Sequence, residues 1–176
     1  FPLLPTEEEG RLHDPLLREN FIEQIFVYRR WREVADSPTA AKLVDFHTAH
    51  KLLLLSHSEK HTREMGRLMA QAGSLDLDAF IERYQELLMA AMRLKPTVKK
   101  HVNVLQHIMG YFKKQISADE KQEMLTVLDQ FKNGIVPLIV PITLLNHYIR
   151  KFQQPYLLHQ HYMNPHPIEL KLRNHA

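Results

Sequence analysis

The chain has 176 residues, 44% of them apolar and 24% charged, with a net charge of +3; that is enough for one domain with a real core, and too weakly basic to name a nucleic-acid binder from charge alone. It contains no cysteine, which excludes disulfides, thiolate metal sites, iron–sulfur ligation and a cysteine nucleophile within it. The longest nearly apolar run, 135–145, carries two prolines and is too short to span a bilayer; with no signal peptide visible, a cytoplasmic location away from membranes is expected.

Residues 1–13 read as a linker, with Pro2 and Pro5 around two leucines, then Glu7, Glu8 and Glu9, and no periodicity. The first residue is Phe1 rather than Met, which predicts a piece of a longer protein with a domain ahead of this linker. Asp14-Pro15 is a helix start, a capping carboxylate followed by proline at the first helical position. It predicts a first helix to about Val34, with Phe21, Ile25 and Tyr28 turned inward. Ser37-Pro38-Thr39 interrupts it. A second helix is predicted over 40–55, a third from Ser58 to Gly73, a fourth from Asp76 to about Arg93, and a fifth over 98–115 after Pro96-Thr97. Ser117 and Glu120 fit a capping box that opens a sixth helix, closed by Gly134. A seventh spans roughly 141–152. Residues 154–176 contain Pro155, Pro165 and Pro167 and read as an irregular tail. No strand alternation or repeat appears, so the fold class is all-α: one compact domain of about seven helices, 14–176.

Residues 1–86 carry a net charge of −4, whereas 87–118 hold six basic residues and no acid. On a helical wheel, Lys99, Lys100, Asn103, Gln106, His107, Gly110, Lys113 and Lys114 share one side of the fifth helix, opposite Val104, Leu105, Ile108, Tyr111 and Phe112. The two lysine pairs would stand ~21 Å apart along the axis, a spacing suited to the phosphates of a polyanion. An ordinary solvated face is the alternative reading. On the seventh helix His147 and Arg150 would extend the stripe. Tyr156 and Tyr162 in the tail offer rings either for stacking on unpaired bases or for pinning the tail to the core.

His101 falls on the apolar side of the fifth helix, where a histidine is normally a satisfied core residue. His47 and Lys51 lie four residues apart in the middle of the second helix's apolar face, formed by Ala40, Leu43, Val44, Leu54 and Leu55. Both are expected to be partly buried. Either Lys51 is paired or snorkels outward, or the helix lines a cleft in which His47, Lys51 and His50 hold an anion. The pairs His47/His50 and His57/His61 have helical spacing, but no HExxH pattern and no well-placed carboxylate accompanies them, so no metal site is expected. Neither a Ser-His-Asp order nor a Gly-x-Ser-x-Gly elbow is present, and no catalytic residue is assigned.

The stretches Leu43-Val44-Asp45-Phe46-His47-Thr48-Ala49-His50-Lys51, Lys99-Lys100-His101-Val102-Asn103-Val104-Leu105-Gln106-His107 with Gly110-Tyr111-Phe112-Lys113, Pro137-Leu138-Ile139-Val140-Pro141-Ile142-Thr143-Leu144-Leu145-Asn146-His147-Tyr148, and Gln160-His161-Tyr162 with Pro165-His166-Pro167 resemble the YbgA-type domain of unknown function, over about residues 24–174. Residues 2–21 resemble the junction where this domain follows a thiouracil-desulfurase domain. The resemblance implies a parent protein that is an iron–sulfur desulfidase acting on 4-thiouridine in tRNA. Its cluster would belong to the N-terminal domain, leaving no cofactor in this piece. The expectation is an accessory domain that binds tRNA or another structured RNA, with Lys99, Lys100, Asn103, His107, Lys113, Lys114, His147 and Arg150 as contacts. The alternatives are a small-ligand or enzymatic domain built on a polar cleft of His47, Lys51 and His101, and a purely structural or oligomerisation module.

Overall fold

A computed structural model of the chain describes residues 3–167, 170 and 172–174. Phe1 and Pro2 of the predicted linker, and Ile168, Glu169, Lys171, His175 and Ala176 of the predicted tail, lie outside the described residues. The fold is all-α: α1 (Pro15–Ala35), α2 (Ala40–His57), α3 (Glu59–Ala70), α4 (Leu77–Met92), α5 (Val98–Gly110), α6 (Ala118–Lys132), α7 (Ile139–Lys151) and a single-turn α8 (Pro155–Leu158). No described residue forms a strand, and no helix is long and apolar enough to cross a membrane.

The helix starts follow from side-chain chemistry. Asp14, Thr39, Ser58, Asp76 and Thr97 each accept a hydrogen bond from a backbone N–H in the first turn of the helix they precede, which satisfies donors that have no helical acceptor. Ser117 and Glu120 form the reciprocal box at the head of α6, at 3.1 and 2.8 Å. Three boundaries differ from expectation. Residues 9–13 of the predicted linker form a 3₁₀ turn packed on α1. α7 starts at Ile139 and takes Pro141 into its first turn, where a missing N–H costs no helical bond. α5 stops at Gly110 rather than near 115, because Tyr111 and Phe112 bond back three residues to Ile108 and Met109. This tighter turn drives Phe112 into the core, with its ring 6.2 Å from Tyr148 and 5.8 Å from Phe152.

One half of the core is aromatic. Trp31 stacks on Tyr84 at 4.6 Å and meets Phe46 edge-on at 5.2 Å, and its indole N–H donates to Gln85 at 3.0 Å. On α1, Val27 and Trp31 are the buried apolar residues, whereas Ile25 faces solvent and Phe21 and Tyr28 are half-buried. The other half packs Val104 and Ile108 of α5, Met124 and Leu128 of α6, and Ile142, Leu145 and Ile149 of α7. α2 touches both halves, packing on α3 and α4 on one side and on α5 on the other. The tail is tied to α2 by Gln160, whose side-chain amide donates to Thr48 C=O at 2.7 Å and whose oxygen accepts from Leu52 N–H at 3.2 Å.

Two helix ends share one geometry and differ in residue. Past α6, Gly134 has φ +71°, and Ile135 N–H bonds to Gln130 C=O at 2.9 Å. Past α7, Gln153 has φ +47°, and Gln154 N–H bonds to Ile149 C=O at 3.2 Å. Both are left-handed caps that favour glycine. Gly134→Ala is expected to lower stability by about 1 kcal/mol and Gln153→Gly to raise it by somewhat less than about 1 kcal/mol. Urea denaturation midpoints of the two variants, moving in opposite directions, check this.

Candidate functional site

α1 turns Glu19, Asn20, Glu23 and Gln24 into the protein. Two carboxylates there need cations, and the tail supplies one. The buried Arg173 donates from Nε to Glu19 at 3.2 Å, from Nη2 to Glu23 at 3.0 Å and from Nη1 to Tyr162 C=O at 2.7 Å. Its guanidinium also stands over the Tyr162 ring. The other oxygen of Glu23 lies 3.0 Å from Nε2 of the fully buried His57, whose Nδ1 donates to Leu94 C=O at 2.8 Å. Both ring nitrogens of His57 therefore face oxygen acceptors, an arrangement that suits an imidazolium beside an ionised Glu23, at a helix C-terminus that favours positive charge.

Burial alone would push Glu23 up. The His57 hydrogen bond and the charges of Arg173, His57 and His101 outweigh it and hold the carboxyl down at about 2. Glu19 moves the other way: burial, then the charge of Glu23, push it up to about 8 against the pull of Arg173. Glu19, Glu23 and His166 bring ligand atoms within 4.8 Å of one another, but the Arg173 guanidinium is already bonded to both carboxylates and supplies the positive charge a cation would bring. Sequence reasoning missed this network. Its signal was the polar group at 19, 20, 23 and 24 on one side of α1.

The predicted cleft is not assembled. His47 is half-buried and its Nδ1 lies 3.0 Å from the Tyr84 hydroxyl; burial, then the charge of Lys51, lower its pKa. Lys51 itself is exposed, correcting the expectation of burial. His101 is half-buried, with Nδ1 3.0 Å from the hydroxyl of Tyr162 rather than that of Tyr84. The cause is the rotation of α2: Leu43, Phe46, His50, Leu53 and His57 face inward, while Val44, assigned to the apolar face, is 53% exposed.

The lysine stripe is also redrawn. Lys100 Nζ donates to His57 C=O at 2.6 Å and to Lys95 C=O at 3.4 Å, so it closes the end of α2. Lys99, Asn103, Gln106 and His107 are exposed on α5, and Lys113 and Lys114 are exposed in the turn beyond it, so the stripe is not one continuous helical face. His107 instead meets Lys51 across a groove of about 330 Å³. Its walls carry Arg63, paired with Glu59, and Tyr111, whose ring stacks on Tyr156 at 5.5 Å and 17°. Burial, then Tyr111, push the Tyr156 hydroxyl up to about 12, so this ring stays neutral. Tyr162, the other tail ring proposed for stacking, is fully buried. Arg150 of α7 lines a separate cavity of about 200 Å³ against the tail, and His147 is exposed with its ring edge-on to Tyr148. Neither lines the groove of Lys51 and His107.

A family described as "Protein of unknown function (DUF1722)" matches residues 51–167. That stretch includes Lys51, His107, Tyr111 and Tyr156 of the groove, and His57 and Tyr162 of the network. The "Uncharacterized protein YbgA" of Escherichia coli (strain K12) is 28% identical over 137 residues, which cover 77% of this chain and 81% of that protein. No solved structure matches.

The charge network sets a pH dependence. Glu19 in the folded chain keeps a proton that the unfolded chain releases near 4.5, so stability falls as pH rises from there towards 8. Glu23 works in the acid range, where its stabilisation is lost as pH falls from 4.5 towards 2. Glu19→Gln keeps an acceptor for Arg173 and removes the titration. Urea midpoints between pH 5 and 8 should fall for the wild type and stay flatter for Glu19→Gln; equal slopes would refute the assignment.

Proposed function

The chain belongs to the DUF1722 family of proteins of unknown function, and we propose that it binds structured RNA, tRNA in first place, over the outer side of α5 and the groove beside it. The observation that carries this reading is the groove. It places the cation of Lys51, which pairs with no described residue, and the imidazole of His107 beside two stacked tyrosines, next to a segment without a single acidic residue from 87 to 118. Lysines at the rim suit phosphates, which carry most of the affinity and little sequence information. The tyrosine faces suit an unpaired base, for which stacking contributes about 1–3 kcal/mol. Asn103 and Gln106 add neutral hydrogen-bonding groups between the charged ends. In a parent protein carrying an N-terminal iron–sulfur desulfidase, as the resemblance implies, this domain would hold the tRNA while the other removes sulfur from 4-thiouridine. The cluster's thiolate ligands would come from that domain, because this chain has no cysteine.

Lys51, Lys99, Lys113 and Lys114 are exposed and make no ion pair with any described residue. Replacing all four by Gln should leave the helical circular dichroism unchanged, weaken tRNA binding and flatten its salt slope by up to about three units through lost counterion release. Unchanged affinity and slope in the folded variant would remove this face from consideration. Lys100→Gln serves as the contrast: it should cost about 1 kcal/mol of stability through the lost bond to His57 C=O and change the salt slope little.

A further inference from the structure

Away from the groove, α1, α2 and the tail meet at an open cavity of about 490 Å³ whose ionisable lining is Arg30, Lys42, His50, His161, Glu33 and Asp45. Arg30 is half-buried, and Nη2 donates to Pro165 C=O at 2.7 Å. Its Nη1 is buried and has no hydrogen-bond partner among the described residues, and none of their carboxylates pairs with it. Burial lowers its pKa. His50 is 1% exposed, with its ring between Phe46 at 4.0 Å and His161 at 4.3 Å. Its Nδ1 donates to Phe46 C=O at 2.8 Å, which leaves Nε2 as a lone pair, also buried and without a partner among the described residues.

Of the lining charges, that of Arg30 is the one that bears on both histidines. Burial, then the charge of Arg30, bring His161 down to about 4. Burial, then His161, with Arg30 and His47 behind it, lower His50 well below the ordinary histidine value. The two carboxylates are at the exposed margin: Glu33 pairs with Arg29 at 3.4 Å, and Asp45 is exposed. Lys42 is turned to Ser37, donating to its C=O at 2.8 Å and its hydroxyl at 2.7 Å.

We infer that this cavity takes a small oxyanion, a phosphate group in first place, between Arg30 Nη1 and His50 Nε2 with His161 on the wall. A desolvated guanidinium with an unused donor is costly until an acceptor completes it, and a phosphate oxygen is that acceptor. A cation is disfavoured at the same place by the Arg30 charge. The histidines, neutral while the cavity is empty, become good partners once negative charge arrives, since an adjacent anion favours the protonated ring. Phosphate binding therefore carries a proton with it: His50 Nε2 gains a hydrogen and donates to the bound oxygen. The site does not depend on RNA binding at the groove, from which it differs in every lining residue.

Titrating inorganic phosphate into the full chain at pH 6.5, by calorimetry in two buffers of different ionisation heat, tests this. Saturable binding with net proton uptake is expected, together with a phosphate-dependent shift of the His50 ring nitrogens in NMR. Arg30→Gln and His161→Gln should each weaken phosphate by about tenfold or more; His161 is half-buried at the cavity wall, so its variant keeps the test readable if Arg30→Gln loosens the fold. The tRNA affinity of the same variants separates the sources of the phosphate. A parallel loss assigns it to an RNA backbone, and unchanged tRNA binding to a free phosphate or phosphate ester. No saturable phosphate binding by the wild type, or wild-type binding by both folded variants, overturns the proposal and leaves buried water as the partner of both orphan atoms.

Discussion

Two carboxylates on one side of a helix, turned away from water, are the constraint around which the rest of this molecule is arranged. Glu23 is tolerable inside as a carboxylate because Arg173 and His57 reach it. Glu19 is tolerable because it keeps its proton and accepts from Arg173. Removing one partner of such a cluster typically costs about 3–5 kcal/mol, because it strands the other. Meeting that requirement fixes the placement of several elements at once. It holds the end of α2 against α1. It pins the α4–α5 connection through Leu94 C=O, and it brings Tyr162 under the guanidinium. It also explains why Lys100 is drawn off the outer side of α5: the carbonyl of the same His57 takes its ammonium.

The local features were legible in the sequence because they are decided within one turn of chain. The capping residues Asp14, Ser58, Asp76 and the Ser117/Glu120 box stand where their chemistry places them, and the apolar side of α5 is the buried one. α2 was misread because Leu52, Leu53, Leu54 and Leu55 fill every direction around the helix. A wheel drawn through such a run has no preferred side, and Val44 pulled the reading away from Phe46 and His50. The end of α5 was overrun for a different reason: the amphipathic pattern continues through Lys113 and Lys114, while Gly110 and the burial of Phe112 end the helix. Arg173 and its carboxylates were out of reach, since nothing in a linear pattern joins residues that far apart.

The same distinction applies to the surface. Lys51 and His107 belong to two separate sequence patterns, one read as a cleft and the other as a stripe. Their helices pack so that both side chains line one groove. His50, read only as an accessory to His47, is instead one of the described residues left inside with an unsatisfied nitrogen. In both cases the sequence identified residues with unusual chemistry, and the packing of helices decided which of them meet.

Arg173 lies 154 residues after Glu19, and this separation bears on how the chain comes into being. α1 leaves the ribosome early, and Glu23 gains its histidine when α2 follows, but Glu19 has no guanidinium until nearly the whole domain has been made. Contacts of such long sequence separation form slowly, and the partly assembled species that precede them are the ones prone to misassociation. The nascent helices therefore have reason to stay loosely docked, with Glu19 still in water, until the tail arrives. The tail then works as a clasp, bringing the last charge of the buried network against helices that are already made.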